Sequence, residues 1–326
     1  MDTESTNYNN KLLCIVGPTA TGKTDIGLLL AQKFGGEIIA CDSRQVYTGL
    51  DLGTGKEAND NQTVSKFSGY WILDGIKIWL YDMVDFNKQY TVADFIKDAT
   101  TAIKTISNQN KLPIIVGGTG FYLDGLLYGV ESDQIPADDE LRKKLAAQDL
   151  TVTQDLLKQL DEDYFYSLNN SEQNNQRRLI RKIEILQYMQ KNPHPVAPKA
   201  GLDRKFNILK IGLTADKETL DKRIEDRVIK RVDRGMLEET KTLQQTGLGY
   251  HRMRELGLEY RVMADFFEGI IATKAEFIFT LQQKIKQFAK RQLTWFKRDK
   301  DIVWIDITEK KYAQKVEKLV QDWYNT

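Results

Sequence analysis

Residues 14–31, CIVGPTATGKTDIGLLLA, run from an apolar stretch through a glycine-bounded loop into a helix, and no other segment restricts the fold as severely. Gly17-Pro-Thr-Ala-Thr-Gly22-Lys23-Thr24 satisfies G-x-x-x-x-G-K-[ST]. Its glycines let backbone N–H groups turn inward, and the helix that follows presents its positive N-terminus. Lys23 adds a point charge and Thr24 offers a hydroxyl to Mg²⁺. Such a loop is a phosphate cradle, and most cradles of this kind hold the tail of a nucleotide.

The first 130 residues alternate apolar runs (KLLCIVG, GEIIACDS, IKIWLYDMV, KLPIIVGG) with helical stretches such as Val92 to Ile106. That alternation predicts an α/β fold, a P-loop NTPase-like parallel sheet flanked by helices. Asp74-Gly75, set between alternating apolar residues, predicts an antiparallel hairpin attached to the sheet. From about Ser132 the pattern changes: residues 138–192 are helical in period, rich in Gln and Asn, and end in KNPHPVAPKAG. KFNILKIGLT then restores a strand, followed by long amphipathic helices, a strand at DIVWID and a closing helix. The expected organisation is a disordered tail over 1–10, a core over 11–131 and 200–326, and an all-helical insertion over 132–199.

At 41% apolar and 29% charged residues the composition is that of a globular chain. No apolar run reaches the roughly 20 residues of a membrane span, and the polar start is unlike a signal peptide, so a cytoplasmic location is expected. Cys14 and Cys41 fall within strands, which argues against a disulfide framework or a thiolate metal site. The net charge of +1 is against a uniformly basic nucleic-acid binder, although charges can be sorted onto separate faces. His194, in NPHPVAP, reads as a loop spacer and His251 as a surface residue.

A nucleotide hydrolase also needs an apolar strand that ends in Asp to hold its metal. The strand that might qualify, LPIIVGGTG, ends instead in glycines and Thr119, which suggests a second substrate passing close to the backbone. EIIACDS offers Asp42 and Ser43 at its carboxyl end, the end that faces the ligand crevice in an open α/β sheet. Asp42 there has three readings: metal ligand, general base or turn cap.

GPTATGKT, DSRQVYTGLDLGTGK, LPIIVGGTGFYL, NQRRLIRKIEI and AKRQLTWF occur in this order between about residues 11 and 306, and together they resemble the tRNA dimethylallyltransferases, also called tRNA isopentenyltransferases. The resemblance implies transfer of a dimethylallyl group from its diphosphate to N6 of the adenosine beside the anticodon, with Mg²⁺ as cofactor. It implies that Gly17, Thr19, Ala20, Thr21, Gly22, Lys23 and Thr24 hold the diphosphate of a prenyl donor, with Thr24 on the metal and Arg223 and Arg227 joining from a later helix. By the same resemblance Asp42 is the general base, Thr119 helps to hold the target base, and Lys23 and Arg227 stabilise the departing diphosphate. Gly117, Gly118 and Gly120 are expected to keep the wall of a through-channel thin.

The resemblance implies contacts with the anticodon stem-loop for Asp42, Ser43, Arg44, Gln45, Thr119, Arg142, Arg177, Arg178, Arg181 and Arg261, and the basic residues interleaved with aromatics in QQKIKQFAKRQLTWFKRDK add Lys290 and Arg291. Three alternatives remain beside these. Arg181 and Glu184, at i and i+3, can pair with each other; Arg231 reads as a solvated cation; and Trp295 reads as packing. The chain departs from the family at ELGLEYRVM, where Leu258-Glu259 follow Gly257, and at Thr48 and Gly55, where Arg and Ala are common and a surface position is expected. The resemblance implies a chain that acts as a monomer and has no membrane partner. The rival readings are a prenyltransferase for free adenine nucleotides, an ATP-using phosphotransferase and a non-catalytic RNA-binding protein.

Overall fold

The computed structural model describes residues 10–56, 62–130, 135–192 and 201–326. The expected tail apart from Asn10, and residues 193–200 of the expected linker with His194, lie outside the described residues. The chain enters on β1 (Lys11–Val16), crosses by α1 (Lys23–Phe34) to β2 (Gly36–Cys41), and then forms β3 (Val64–Phe67), β4 (Tyr70–Leu73) and β5 (Ile76–Trp79). α2 (Val92–Asn108), β6 (Leu112–Gly117) and α3 (Gly120–Tyr128) follow. A helical stretch comprises α4 (Asp139–Ala146), α5 (Leu150–Leu160), α6 (Glu162–Ser167), α7 (Asn170–Gln173) and α8 (Gln176–Lys191). The sheet resumes with β7 (Asn207–Thr214), and α9 (Lys217–Asp233), α10 (Met236–Gln245), α11 (Tyr250–Leu256), α12 (Leu258–Phe267) and α13 (Lys274–Phe296) lead to β8 (Ile302–Asp306) and α14 (Tyr312–Tyr324).

The described strands form one sheet in the order β3-β4-β5-β2-β6-β1-β7-β8. From β5 to β8 every pairing is parallel, and β3-β4-β5 is an antiparallel ribbon on one edge. The apolar runs are buried on both faces because alternate residues serve different cores. Leu13 and Ile15 of β1 pack with Ile26 and Leu30 of α1 and Val316 and Val320 of α14. Leu12, Cys14 and Val16 pack with Phe95 and Ile103 of α2 and Leu123 of α3. Both cysteines are free and buried. α2 begins with a capping box, in which Thr91 and Asp94 each accept from the other's backbone N–H.

The hairpin at Asp74-Gly75 forms with both residues at positive φ, 48° and 82°, a two-residue turn that matches the twist of its strands. Its third strand, β3, was not legible: VSKF alternates no apolar face, and only Val64 of the four is not exposed.

The chain divides into two compact units, Met1–Leu127 with Leu202–Thr326, and Tyr128–Gly201. The smaller unit has its own core, including Leu145, Leu157, Phe165, Leu179 and Ile183. Beside this core the Glu184 carboxylate, buried, accepts from Arg142 Nε (2.6 Å), Arg142 NH2 (2.9 Å), Arg181 NH1 (2.9 Å) and the Asp138 N–H (3.0 Å). Burial pushes the Glu184 pKa up, but these donors outweigh it and hold the group below its ordinary value. Glu184→Ala is expected to destabilise this unit by about 2 kcal/mol, the scale for losing hydrogen bonds to a charged group. A urea titration followed by circular dichroism measures it. With the folded pKa below the unfolded one, the stabilisation is full above the unfolded value and is lost as pH falls through the folded one. Among the described residues no helix is long and apolar enough to cross a membrane.

Candidate active site

A cavity of about 940 Å³ opens at the carboxyl ends of β1, β2 and β6 in the larger unit. One wall is the glycine loop. Gly17 adopts φ +133°, and a Cβ there would collide with the Leu213 carbonyl of β7, so the loop can leave β1 in this direction only with glycine. Gly22 (φ +83°) starts α1 in the left-handed region. The Thr21 hydroxyl is used inside the loop, donating to the Pro18 carbonyl at 2.9 Å. Lys23 Nζ donates to the same carbonyl at 2.7 Å. Desolvation, then the nearby Arg227, lower the Lys23 pKa to about 7.

Asp42 and Thr119 meet at the next two strand ends. Asp42 Oδ1 accepts the Arg44 N–H at 2.9 Å, so it caps its own turn, and it also lines the cavity. Burial raises its pKa, while the Arg44 N–H and the charges of Arg44, Lys23 and Arg227 draw it back. Thr119 Oγ1 accepts the Ser43 N–H at 3.2 Å, and the Thr119 N–H donates to the Cys41 carbonyl at 3.2 Å. The end of β6 is therefore tied across to the end of β2. Gly117 and Gly118 line the cavity where a Cβ would strike Cys41 and Gln292. Gly120 is not among the residues that line the cavity, and a Cβ there would strike the indole of Trp295.

Gln292 of α13 is a residue that sequence reasoning passed over. Its Oε1 accepts the Thr19 N–H and its Nε2 donates to the Gly118 carbonyl, both at 2.9 Å, so one buried amide joins the phosphate loop to the end of β6. A Gln inside an amphipathic basic helix gave no signal; only its burial singles it out.

α9 supplies the cations. Arg223 Nε donates to the Ala20 carbonyl at 2.7 Å, and Arg227 NH1 to Thr19 Oγ1 at 3.1 Å. Desolvation and the neighbouring Arg231 bring the Arg227 pKa down to about 10, so it remains a cation at neutral pH. Arg231 corrects the expectation of a solvated stripe. It is 6% exposed and donates from Nε to the Leu52 carbonyl at 2.5 Å and from NH2 to that of Gly53. Gly55 corrects a second expectation: it lines the cavity against Arg227, whereas Thr48 is exposed.

Ser43, Arg44, Gln45, Arg261 and Arg291 all line the same cavity, and Lys290 is exposed outside it. Arg261 donates from NH2 to the Arg254 carbonyl at 3.0 Å, while Tyr260 beside it is buried. In the smaller unit Arg177 and Arg178 are exposed on α8. Arg142 and Arg181 are engaged with Glu184, and Arg181 NH2 also donates to the Ile135 carbonyl at 2.8 Å. Trp295 packs, its Nε1 donating to Asp124 at 2.9 Å. His251 is a surface residue.

Away from the loop the cavity has an apolar wall of Ile38, Ala40, Val116, Leu73 and Ile78. Fold and site together define a P-loop α/β enzyme in which an anion cradle, an apolar recess and an acid share one chamber with a rim of arginines. The IPP transferase family model matches residues 45–299 and the isopentenyl transferase model residues 10–75. A tRNA dimethylallyltransferase 2 of Treponema denticola is 39% identical over 303 residues, covering 91% of this chain and 95% of that protein. The tRNA dimethylallyltransferase of Pelotomaculum thermopropionicum is 36% identical, covering 93% of each. The structure of the full-length tRNA isopentenylpyrophosphate transferase of Bacillus halodurans matches with a TM-score of 0.69 at 31% identity over 97% of both chains. That of a eukaryotic dimethylallyltransferase acting on tRNA matches at 0.77 and 25% identity over 97% of this chain and 80% of that one. The chain belongs to the tRNA dimethylallyltransferase, or IPP transferase, family of prenyltransferases.

Proposed function

We propose that this protein transfers a dimethylallyl group from dimethylallyl diphosphate to N6 of the adenosine 3′-adjacent to the anticodon in tRNA, acting as a monomer. The observation that carries the proposal is the single cavity in which the phosphate loop, the Asp42 carboxylate and an apolar wall converge. A nucleotide hydrolase has no use for that wall, and the β6 end supplies no acid to aim a water. The relatives' names, tRNA dimethylallyltransferase among them, support the acceptor.

The roles follow from charge and reach. The amides of Gly17 to Thr24, with Lys23, Arg223 and Arg227, hold the diphosphate and stabilise the charge it gains as the allylic C–O bond breaks. The wall of Ile38, Ala40, Val116, Leu73 and Ile78 receives the hydrocarbon and keeps water from the allylic carbon. An exocyclic amine is a poor nucleophile and must lose a proton as it attacks; Asp42, with a raised pKa, accepts it. Thr119 positions the base, which must leave its stack to reach a recessed site. Ser43, Arg44, Gln45, Arg261 and Arg291 at the cavity, with Lys290 and the exposed Arg177 and Arg178, offer phosphate contacts to the anticodon stem-loop. Arg142 and Arg181 act more through the fold of the smaller unit, by way of Glu184.

The residues at the loop fit Mg²⁺. Thr24 presents a hydroxyl in the cavity, and among the described residues no cluster of three or more His, Cys, Asp or Glu competes as a metal site. A hard cation held by one hydroxyl takes its other ligands from substrate phosphate and water, as Mg²⁺ does. When bound it would neutralise phosphate charge.

The test is nucleoside mass analysis after incubation with Mg²⁺, dimethylallyl diphosphate and, in parallel, unmodified tRNA, AMP or ATP. One dimethylallyl group on adenosine in tRNA alone is the expected result. Prenylated free nucleotide would replace the acceptor, and ATP consumption without prenylation would overturn the reading.

A further inference from the structure

Arg227 is wedged between the phosphate loop and the turn at Gly55. Its NH1 reaches Thr19 Oγ1 on one side, and on the other its NH2 occupies the space a Cβ on Gly55 would need. Gly55, at φ +71°, belongs to a tight turn in which the Gly55 and Lys56 N–H groups donate to the Asp51 carbonyl at 2.9 and 3.1 Å. The position of this turn therefore sets how far the Arg227 guanidinium can retreat from the phosphate loop.

The turn is gripped by two opposite charges on consecutive helices. Glu239 of α10 accepts the N–H groups of Asp51 (3.2 Å), Leu52 (2.8 Å) and Gly53 (3.1 Å). Arg231 of α9 takes the carbonyls of Leu52 and Gly53. The arrangement matches the dipole of the turn, with the anion at its N–H end and the cation at its carbonyl end. The Tyr260 hydroxyl donates to Glu239 Oε1 at 3.3 Å and closes on Gly53, where a Cβ would collide with it. Lys56, fully buried, closes the far end on the Tyr47 carbonyl (2.8 Å), Asp51 (2.9 Å) and Asp82.

We infer that Arg231 and Glu239 are positioning residues for the diphosphate: they clamp the 51–55 turn from its two ends, so that Gly55 holds Arg227 against Thr19 of the phosphate loop. This rests on the diphosphate reading of the cradle. Arg231 borders the cavity, but its Nε and NH2 are committed to Leu52 and Gly53 and its NH1 lies 3.9 Å from the Glu259 carboxylate, so it acts through the turn and not on the anion.

A double-mutant cycle on the full chain tests it, with inorganic diphosphate as the probe and titration calorimetry as the readout. Arg231→Met is expected to weaken diphosphate binding about tenfold, and less than twofold when Arg227 is already Ala, because the clamp then has nothing to position. Glu239→Gln should move binding in the same direction by less, and the KM for tRNA should stay within about twofold for both. Should Arg231→Met fail to fold, Arg231→Lys keeps the charge without the two-carbonyl grip, and the same cycle applies to it. Equal losses in both backgrounds, or no loss in either, would overturn the inference. A wild-type chain that binds diphosphate without prenylating tRNA would sink the proposed reaction alone, since the cycle reads binding only.

Discussion

Asp42→Asn will lower kcat about 10²- to 10⁴-fold, the range for loss of a general base, while tRNA and donor binding persist. Asparagine keeps the oxygen that accepts the Arg44 N–H at 2.9 Å, so the turn at the end of β2 is preserved and only proton acceptance is removed. Single-turnover quench measurements isolate the chemical step from product release. The acid limb of the wild-type kcat/KM profile is expected to come from Asp42 and to lie above the ordinary 3.8, because burial raises its pKa. The variant should lose that limb. Near-normal single-turnover rates in Asp42→Asn would remove Asp42 from the reaction.

The same variant should be more stable than the wild type at neutral pH. A carboxyl whose folded pKa lies above its unfolded value binds more protons in the folded state, so its ionisation works against folding. That cost is full above the folded pKa and disappears below the unfolded value of 3.8. Thermal melts of Asp42→Asn should run above the wild type near pH 7 and converge with it in acid. A functional carboxyl kept at the expense of the fold is what a catalytic site commonly shows.

Those parts of the chain whose role is local were legible in the sequence. The phosphate loop is read from spacing, the parallel strands from their apolar runs, and the hairpin from Asp74-Gly75. What failed was whatever depends on a partner far along the chain. Arg231 carries the same charge and spacing as Arg223 and Arg227, and helix periodicity cannot say that its end meets two carbonyls 179 and 178 residues earlier. Gly55 looked like a surface substitution because nothing in TGLDLGTGK reveals the guanidinium lying on it. Gln292 was hidden for the same reason. A neutral amide gives no charge pattern, and its two partners, Thr19 and Gly118, lie 273 and 174 residues away. The Arg181–Glu184 spacing did disclose a pair, but not that Arg142 joins it, making Glu184 the hub of the small unit.

Lys23→Met will cost about 10²- to 10³-fold in kcat, the range for removing one preorganised donor from developing charge, with a smaller effect on the KM for dimethylallyl diphosphate. Lys23 Nζ donates to the Pro18 carbonyl at 2.7 Å, and desolvation, then the nearby Arg227, disfavour its charge. A bound diphosphate relieves part of that cost. Breaking the C–O bond relieves more, because the leaving group then takes up negative charge that the ground state did not carry. An interaction that strengthens toward the transition state appears in kcat, whereas one equally strong in both states appears only in KM. Arginine should not rescue the position: a point charge on a flexible stem reaches the Pro18 carbonyl at 2.7 Å, and a rigid planar fork carries its charge and donors elsewhere. A variant whose KM rises with kcat unchanged would show that Lys23 only holds the donor, leaving Arg227 and the loop amides to stabilise the departing diphosphate.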